Sequence, residues 1–199
     1  MIMEDVFKTI EKPVEGLYKD KGSRFIAFAY PVECEEEIKI IVAEIKEKYY
    51  DARHHCYAWC LGVDKTNFRA NDDGEPSSTA GKPILGQIQS RDLTNILVVV
   101  VRYFGGIKLG VSGLIHAYRE ATIDALQNAV VVEKTVNETL RITFSYLAMN
   151  DVMKVIKEEE PEVLERSFEL QCEMLLSIRQ KNMPILRARL EQIDSVCII

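Results

Sequence analysis

Hydrophobic and polar positions along the chain repeat with two different periods, and the change from one to the other marks out the elements. Between Cys34 and Tyr50 the apolar residues Ile38, Ile41, Val42, Ile45 and Tyr49 recur at i, i+3, i+4, i+7 and i+11 among Glu and Lys. That spacing predicts an amphipathic helix. Before it, Ser23 to Val32 (SRFIAFAYPV) is rich in aromatic and small apolar residues and predicts a strand that stops near Pro31. Cys56 to Val63 predicts a second strand, and Asn67 to Asn71 a short third before a DDG turn. Ser78 to Gln89 predicts a helix opened by Ser77 or Ser78. The β-branched run of Ile96 to Tyr103 predicts a buried central strand with Arg102 at its end. Val111 to Val131 predicts a long helix carrying Leu114, Tyr118, Ala121, Ala125 and Leu126 on one side.

After the polar stretch Glu133 to Asn137 the pattern starts again, which sets a domain boundary and expected domains of 1–134 and 135–199. The second set predicts a strand (Thr139 to Tyr146), a helix (Met149 to Glu160), two strands (Val163 to Leu170 and Glu173 to Arg179), a helix (Met183 to Ile193) and a last strand (Val196 to Ile199). The order βαββαβ is the ferredoxin-like split βαβ arrangement, so the expected class is α+β in two domains. Alternation of Leu140, Ile142 and Phe144, and of Met174, Leu176 and Ile178, supplies its buried face.

Composition removes several classes. With 199 residues, 47% hydrophobic and 28% charged, the chain buries a core and is neither disordered nor fibrous. No apolar run approaches the roughly 18 residues of a membrane span, and Met1 to Lys12 mixes Glu, Asp and Lys with no apolar leader, so a cytoplasmic protein is expected. Five cysteines scattered over the whole length fit reduced thiols better than a disulfide framework. The net charge of −6 disfavours a general nucleic-acid coat. It conceals a local reversal: from Pro76 to Arg119 there are five cations (Lys82, Arg91, Arg102, Lys108, Arg119) against one anion (Asp92), a local +4. Seven of the ten glycines lie between Gly74 and Gly113, so close backbone approach is concentrated in the same stretch.

These residue types point to anion chemistry. Gly105, Gly106, Gly110 and Gly113 interleave with Lys108 and Ser112 just before a helix, where free backbone N–H groups, a helix N-terminus and a cation meet. Arg102 at one strand end, and Arg53, His54 and His55 at the start of another, add side-chain donors. Lys82 joins the set as a further cation. Asp72, Asp73 and Glu75 form a supporting acidic loop that fixes these cations or, through oxygen ligands, Mg²⁺. The opposing reading makes the glycines packing devices and Arg102 a structural partner of Asp73 or Glu75. Other motifs fail: six residues separate Gly74 from Gly81 and Pro83 follows Lys82, which excludes a P-loop. His54, His55, Cys56 and Cys60 lack a second ligand pair nearby, and no Gly-x-Ser-x-Gly elbow occurs. No metal, cofactor or catalytic residue is expected.

Three blocks, Asp51 to Cys56 (DARHHC), Asp72 to Leu85 (DDGEPSSTAGKPIL) and Val100 to Tyr118 (VVRYFGGIKLGVSGLIHAY), resemble the signature of the IMPACT family, also called the YigZ family, over roughly Gly16 to Val132. The resemblance implies an N-terminal α/β two-layer domain of the ribosomal S-five domain-two-like fold, shared with elongation factor G domain four and GHMP kinases. It also implies a C-terminal domain similar to elongation factor G domain five. Eukaryotic members resemble this chain only in the N-terminal domain and act on an initiation-factor kinase pathway through a protein partner, an activity not expected here. The expected function is that of a non-catalytic regulator or accessory factor linked to translation. It would bind RNA, the ribosome or a protein of the translation machinery through the Gly-rich basic face, with no membrane partner. The competing reading is a small nucleotide-dependent phosphotransferase or hydrolase using Asp73, Glu75 and Lys82.

Overall fold

The computed structural model describes residues 5–169 and 171–199. Two compact units emerge, Phe7–Lys134 and Thr135–Ile199, and Asp5 and Val6 group with the second although the sequence reading starts the first domain at residue 1. The reason is local: Asp5 is 6% exposed, takes both a guanidinium Nε and an Nη proton from Arg179 at 2.6 and 2.7 Å, and accepts the Val136 amide on its carbonyl at 2.8 Å.

The first unit is a five-stranded antiparallel sheet of β2 (Val14–Asp20), β3 (Ser23–Pro31), β4 (His54–Leu61), β5 (Asn67–Asn71) and β6 (Ile96–Tyr103), in the order β2-β3-β6-β4-β5. β6 is central, and every residue from Ile96 to Arg102 is buried because both faces are covered. Ile96, Val98 and Val100 pack with α2 (Gly81–Ser90) and α3 (Gly110–Gln127). Leu97, Val99 and Val101 pack with α1 (Glu35–Lys48), which adds a third layer to the two expected. This two-sided cover explains why β6 reads as a continuous apolar run rather than an alternating one. Apart from the sheet, β1 (Val6–Ile10) pairs with β7 (Val131–Thr135).

Two predicted boundaries move for identifiable reasons. The helix expected over Val111 to Val131 ends at Gln127, because Asn128 turns to the Glu15 carbonyl (2.9 Å), Glu11 binds the Val130 carbonyl, and the β-branched run from Val130 to Val132 enters β7. The helix expected from Ser78 starts at Gly81, since Ser78 sits at φ +66° and the cap comes from a distant residue, Asp72. β1, β2 and β7 have no counterpart in the sequence reading.

The second unit contains β8 (Asn137–Phe144), α4 (Met149–Glu159), β9 (Glu162–Phe168), β10 (Cys172–Arg179), α5 (Met183–Glu191) and β11 (Cys197–Ile198). The strand order β11-β8-β10-β9, with every pair antiparallel, is the expected ferredoxin-like sheet, and both helices pack on its Leu140, Ile142, Phe144, Met174, Leu176 and Ile178 face. The second strand predicted for this unit, Val163 to Leu170, ends on Leu170, which lies outside the described residues. Among the described residues no helix is long and apolar enough to cross a membrane.

Candidate anion-binding cleft

Parity along β6 decides which face of the sheet Arg102 occupies. Arg102 follows Ile96, Val98 and Val100 onto the α2/α3 face, and its register partners there are Phe25 of β3 and His54 of β4. The Arg102 guanidinium stacks 5.5 Å from the Phe25 ring and 5.6 Å from the Phe104 ring. Its Nη1 donates to Glu75 Oε1 at 2.6 Å, with only 8% and 3% of the two side chains exposed. Tyr118 donates its hydroxyl to the same Glu75 oxygen at 2.8 Å, and Cys56 Sγ lies 3.3 Å from the Tyr118 oxygen. Burial pushes the ionisation of both Cys56 and Tyr118 upward, so at neutral pH each keeps its proton and serves as a donor. Arg102 Nε is buried with no acceptor among the described residues.

Above this network opens a cleft of about 530 Å³. It is lined by Leu109, Gly110 and Val111 at the start of α3, by His54 with Gly74, Glu75 and Pro76, and by Arg102 and Phe104, and Arg53 and Lys108 are its exposed cations. Leu109 at the N-cap offers no side-chain cap, and among the described residues no other side chain accepts the first-turn amides at the positive end of this 18-residue helix. A larger cleft of about 660 Å³ lies in the second unit, but it mixes Asp151 and Asp194 with Lys154 and Arg189, and Arg189 is already paired with Glu158 and Glu159. The two clefts therefore differ less in volume than in the charge that lines them.

The structure separates the residues that the sequence grouped. Arg53, His54, Arg102, Lys108 and Gly110 meet in the cleft, with Glu75 from the acidic loop. His55 points to the other face of β4, where its Nε2 lies 2.9 Å from the Tyr49 carbonyl, because successive strand residues alternate. Lys82 lies outside this cleft, in a second one of about 430 Å³ between α2 and α3. Gly105 and Gly106 belong to the loop after β6 and do not line the cleft, nor do Ser112 and Gly113 in the first turn of α3. Gly106 has φ +89° with open space around it, whereas Gly105 abuts the backbone of Gly22 and Ser23.

The acidic loop is spent on architecture. Asp72 accepts the amides of Ser78 (2.8 Å), Ala80 (3.0 Å) and Gly81 (2.8 Å) and so caps α2. Asp73, at φ +39°, accepts the His55 amide at 2.7 Å and the Lys46 ammonium at 2.9 Å, while its carbonyl lies 2.8 Å from His54 Nδ1. Burial raises the Asp73 pKa, but the His55 amide and then Lys46 outweigh it and leave it below the usual 3.8. A carboxyl depressed on folding adds stability that is present above its unfolded pKa and lost as pH falls through the folded one. Asp73→Asn is therefore expected to lower stability at pH 7 and to flatten its decline below about pH 4. Urea midpoints from pH 7 to 3 check this, and parallel curves for the two proteins would contradict it.

The Impact N-terminal domain family matches residues 21–126, more than half of the chain and every residue of the cleft. The chain belongs to the IMPACT family. An IMPACT family member of Haemophilus influenzae is 34% identical over 88% of this chain and 86% of its own length. The IMPACT family member YigZ of Escherichia coli is 41% identical over 62% of this chain and 61% of that protein. A crystal structure described only as that of a hypothetical protein covers 99% of this chain and 98% of its own at 27% identity, with a TM-score of 0.77.

Within this IMPACT domain the sequence reading missed the apolar half of the cleft: Pro76, Phe104, Leu109, Val111 and Leu114. Only Phe104 left a signal, as an aromatic residue directly beyond the end of a buried strand. It also missed Tyr118 as a polar partner, having counted it as a helix core residue. Its hydroxyl reaches Glu75 across 43 positions of sequence, which periodicity does not encode.

Proposed function

We propose that this IMPACT family member is a non-catalytic, translation-linked accessory factor that holds a phosphate group of RNA in the cleft at the head of α3. The observation that carries the reading is Arg102 Nε, a buried and unmatched donor on a guanidinium that lines a cleft also walled by an uncapped helix N-terminus. Buried donors without partners are rare and costly, and anion sites are where such donors find acceptors. Lys108 and Arg53, both exposed and free of ion pairs among the described residues, supply the remaining charge. The translation context rests on family membership and on the likeness to elongation factor G domains that the family resemblance implies. Against the phosphotransferase reading, Asp72 and Asp73 are held as a helix cap and a loop clamp and Glu75 as the partner of Arg102, which leaves no carboxylate of that loop free for a metal or a base.

The test uses Lys108→Ala and Arg53→Ala. Being exposed, each is expected to change stability by less than about 0.5 kcal/mol. Each is also expected to weaken single-stranded RNA binding and to reduce the log–log salt slope by about 0.7. Salt-insensitive binding, or binding that neither variant alters, would overturn the reading, and so would nucleotide turnover by the purified chain.

A further inference from the structure

We infer that the Lys82 cleft continues the anion cleft as one track, and that the track seats an extended single-stranded nucleic acid rather than a lone nucleotide; this rests on the reading above. Three observations join the two clefts. Val111 lines the first and Ile115 and Arg119 line the second, so residues spaced by four run in one row along α3. Pro76 lines the first and Ser78 the second, so a single turn of the loop before α2 borders both. The rise from Val111 to Arg119 is about 12 Å, beyond the span of any single phosphate.

The charge distribution follows the same line. Lys82 and Arg119 are exposed, the second cleft contains no carboxylate, and among the described residues neither cation enters an ion pair. A net-negative chain has thus kept two unpaired cations in one groove next to a donor-lined cleft. One exposed aromatic ring, Phe104 at 47% exposure, stands in the first cleft with the Arg102 guanidinium against it. An exposed ring beside a phosphate site is the arrangement on which a base stacks without sequence preference. That ring separates a nucleic acid from other polyanions, since inorganic polyphosphate offers charge but nothing to stack.

The experiment compares 5′-phosphorylated octauridylate RNA, uridine 5′-monophosphate and inorganic polyphosphate on the full chain and three variants: Lys82→Ala/Arg119→Ala, Lys108→Ala and Phe104→Ala. The double variant is expected to bind the octamer with a log–log salt slope lower by about 1.4 and an affinity down by roughly tenfold. Its binding of the monophosphate, followed by NMR shifts, is expected to stay unchanged. Phe104→Ala is expected to weaken the octamer more than polyphosphate. If the double variant binds the octamer as the parent does while Lys108→Ala does not, the track is overturned and the cleft stands. If the double variant weakens the monophosphate as much as the octamer, the two clefts are not successive stations and the inference fails. If Phe104→Ala weakens both polymers equally, the nucleic-acid assignment fails. Loss of octamer binding in no variant, Lys108→Ala included, overturns the cleft and the track together.

Discussion

Arg102→Met is expected to destabilise the first unit by about 3 to 5 kcal/mol, the cost of stranding one partner of a buried ion pair. Glu75 keeps only 3% of its side chain exposed, and without Arg102 its carboxylate retains a single donor among the described residues, the Tyr118 hydroxyl. The volume of the guanidinium is roughly replaced by the Met side chain, which keeps the packing on Phe25 and Phe104 and isolates the electrostatic loss. Adding Glu75→Gln removes the stranded charge, so the double variant is expected to recover a large part of the loss. Trp59, the only tryptophan and 5% exposed in the first unit, reports the unfolding by fluorescence in urea. A single variant that unfolds at the parent's midpoint, or a double variant no better than the single, would refute the structural role. The sequence left two roles open for Arg102, a phosphate contact with little effect on stability or a structural partner of Asp73 or Glu75, and the buried pair with Glu75 supports the second. Lys108 and Arg53, not Arg102, are the clean probes of binding.

Gly105→Ala is expected to cost roughly 3 kcal/mol, the upper range for forcing an extra carbon into packed structure. A Cβ there would sit 1.9 Å from the Gly22 carbonyl carbon and 2.2 Å from the Ser23 nitrogen. Both are backbone atoms in the tight turn between β2 and β3, where Gly22 holds φ +79°, and Gly105 itself donates its amide to Ser23 Oγ at 3.1 Å. Neither side has a flexible chain that could yield. Gly106→Ala is the control: nothing lies within 4 Å of its added carbon, so only the φ of +89° opposes it, at about 1 kcal/mol. Thermal melts of the two variants decide the matter, and equal melting temperatures would mean that the loop moves freely away from the β2–β3 turn.

Particular residues show where sequence was enough. The 3.6-residue period of Ile38, Ile41, Val42 and Ile45 fixed α1, and the βαββαβ order with two alternating strands fixed the second unit, because local burial patterns are carried by neighbours in sequence. The concentration of cations and glycines in one stretch was equally legible, as charge and glycine are properties of single residues. The sequence by itself thus determined the α+β class, the family and the stretch of chain that lines the cleft. Tertiary structure alone decided the roles within it. That Asp72 caps α2, that Glu75 rather than Asp73 pairs with Arg102, that Tyr118 completes the pair, and that Lys82 stands in the neighbouring cleft all depend on contacts spanning up to 43 positions. Such contacts follow from which face of the sheet each element covers, and that is set by packing of the whole unit rather than by any local period.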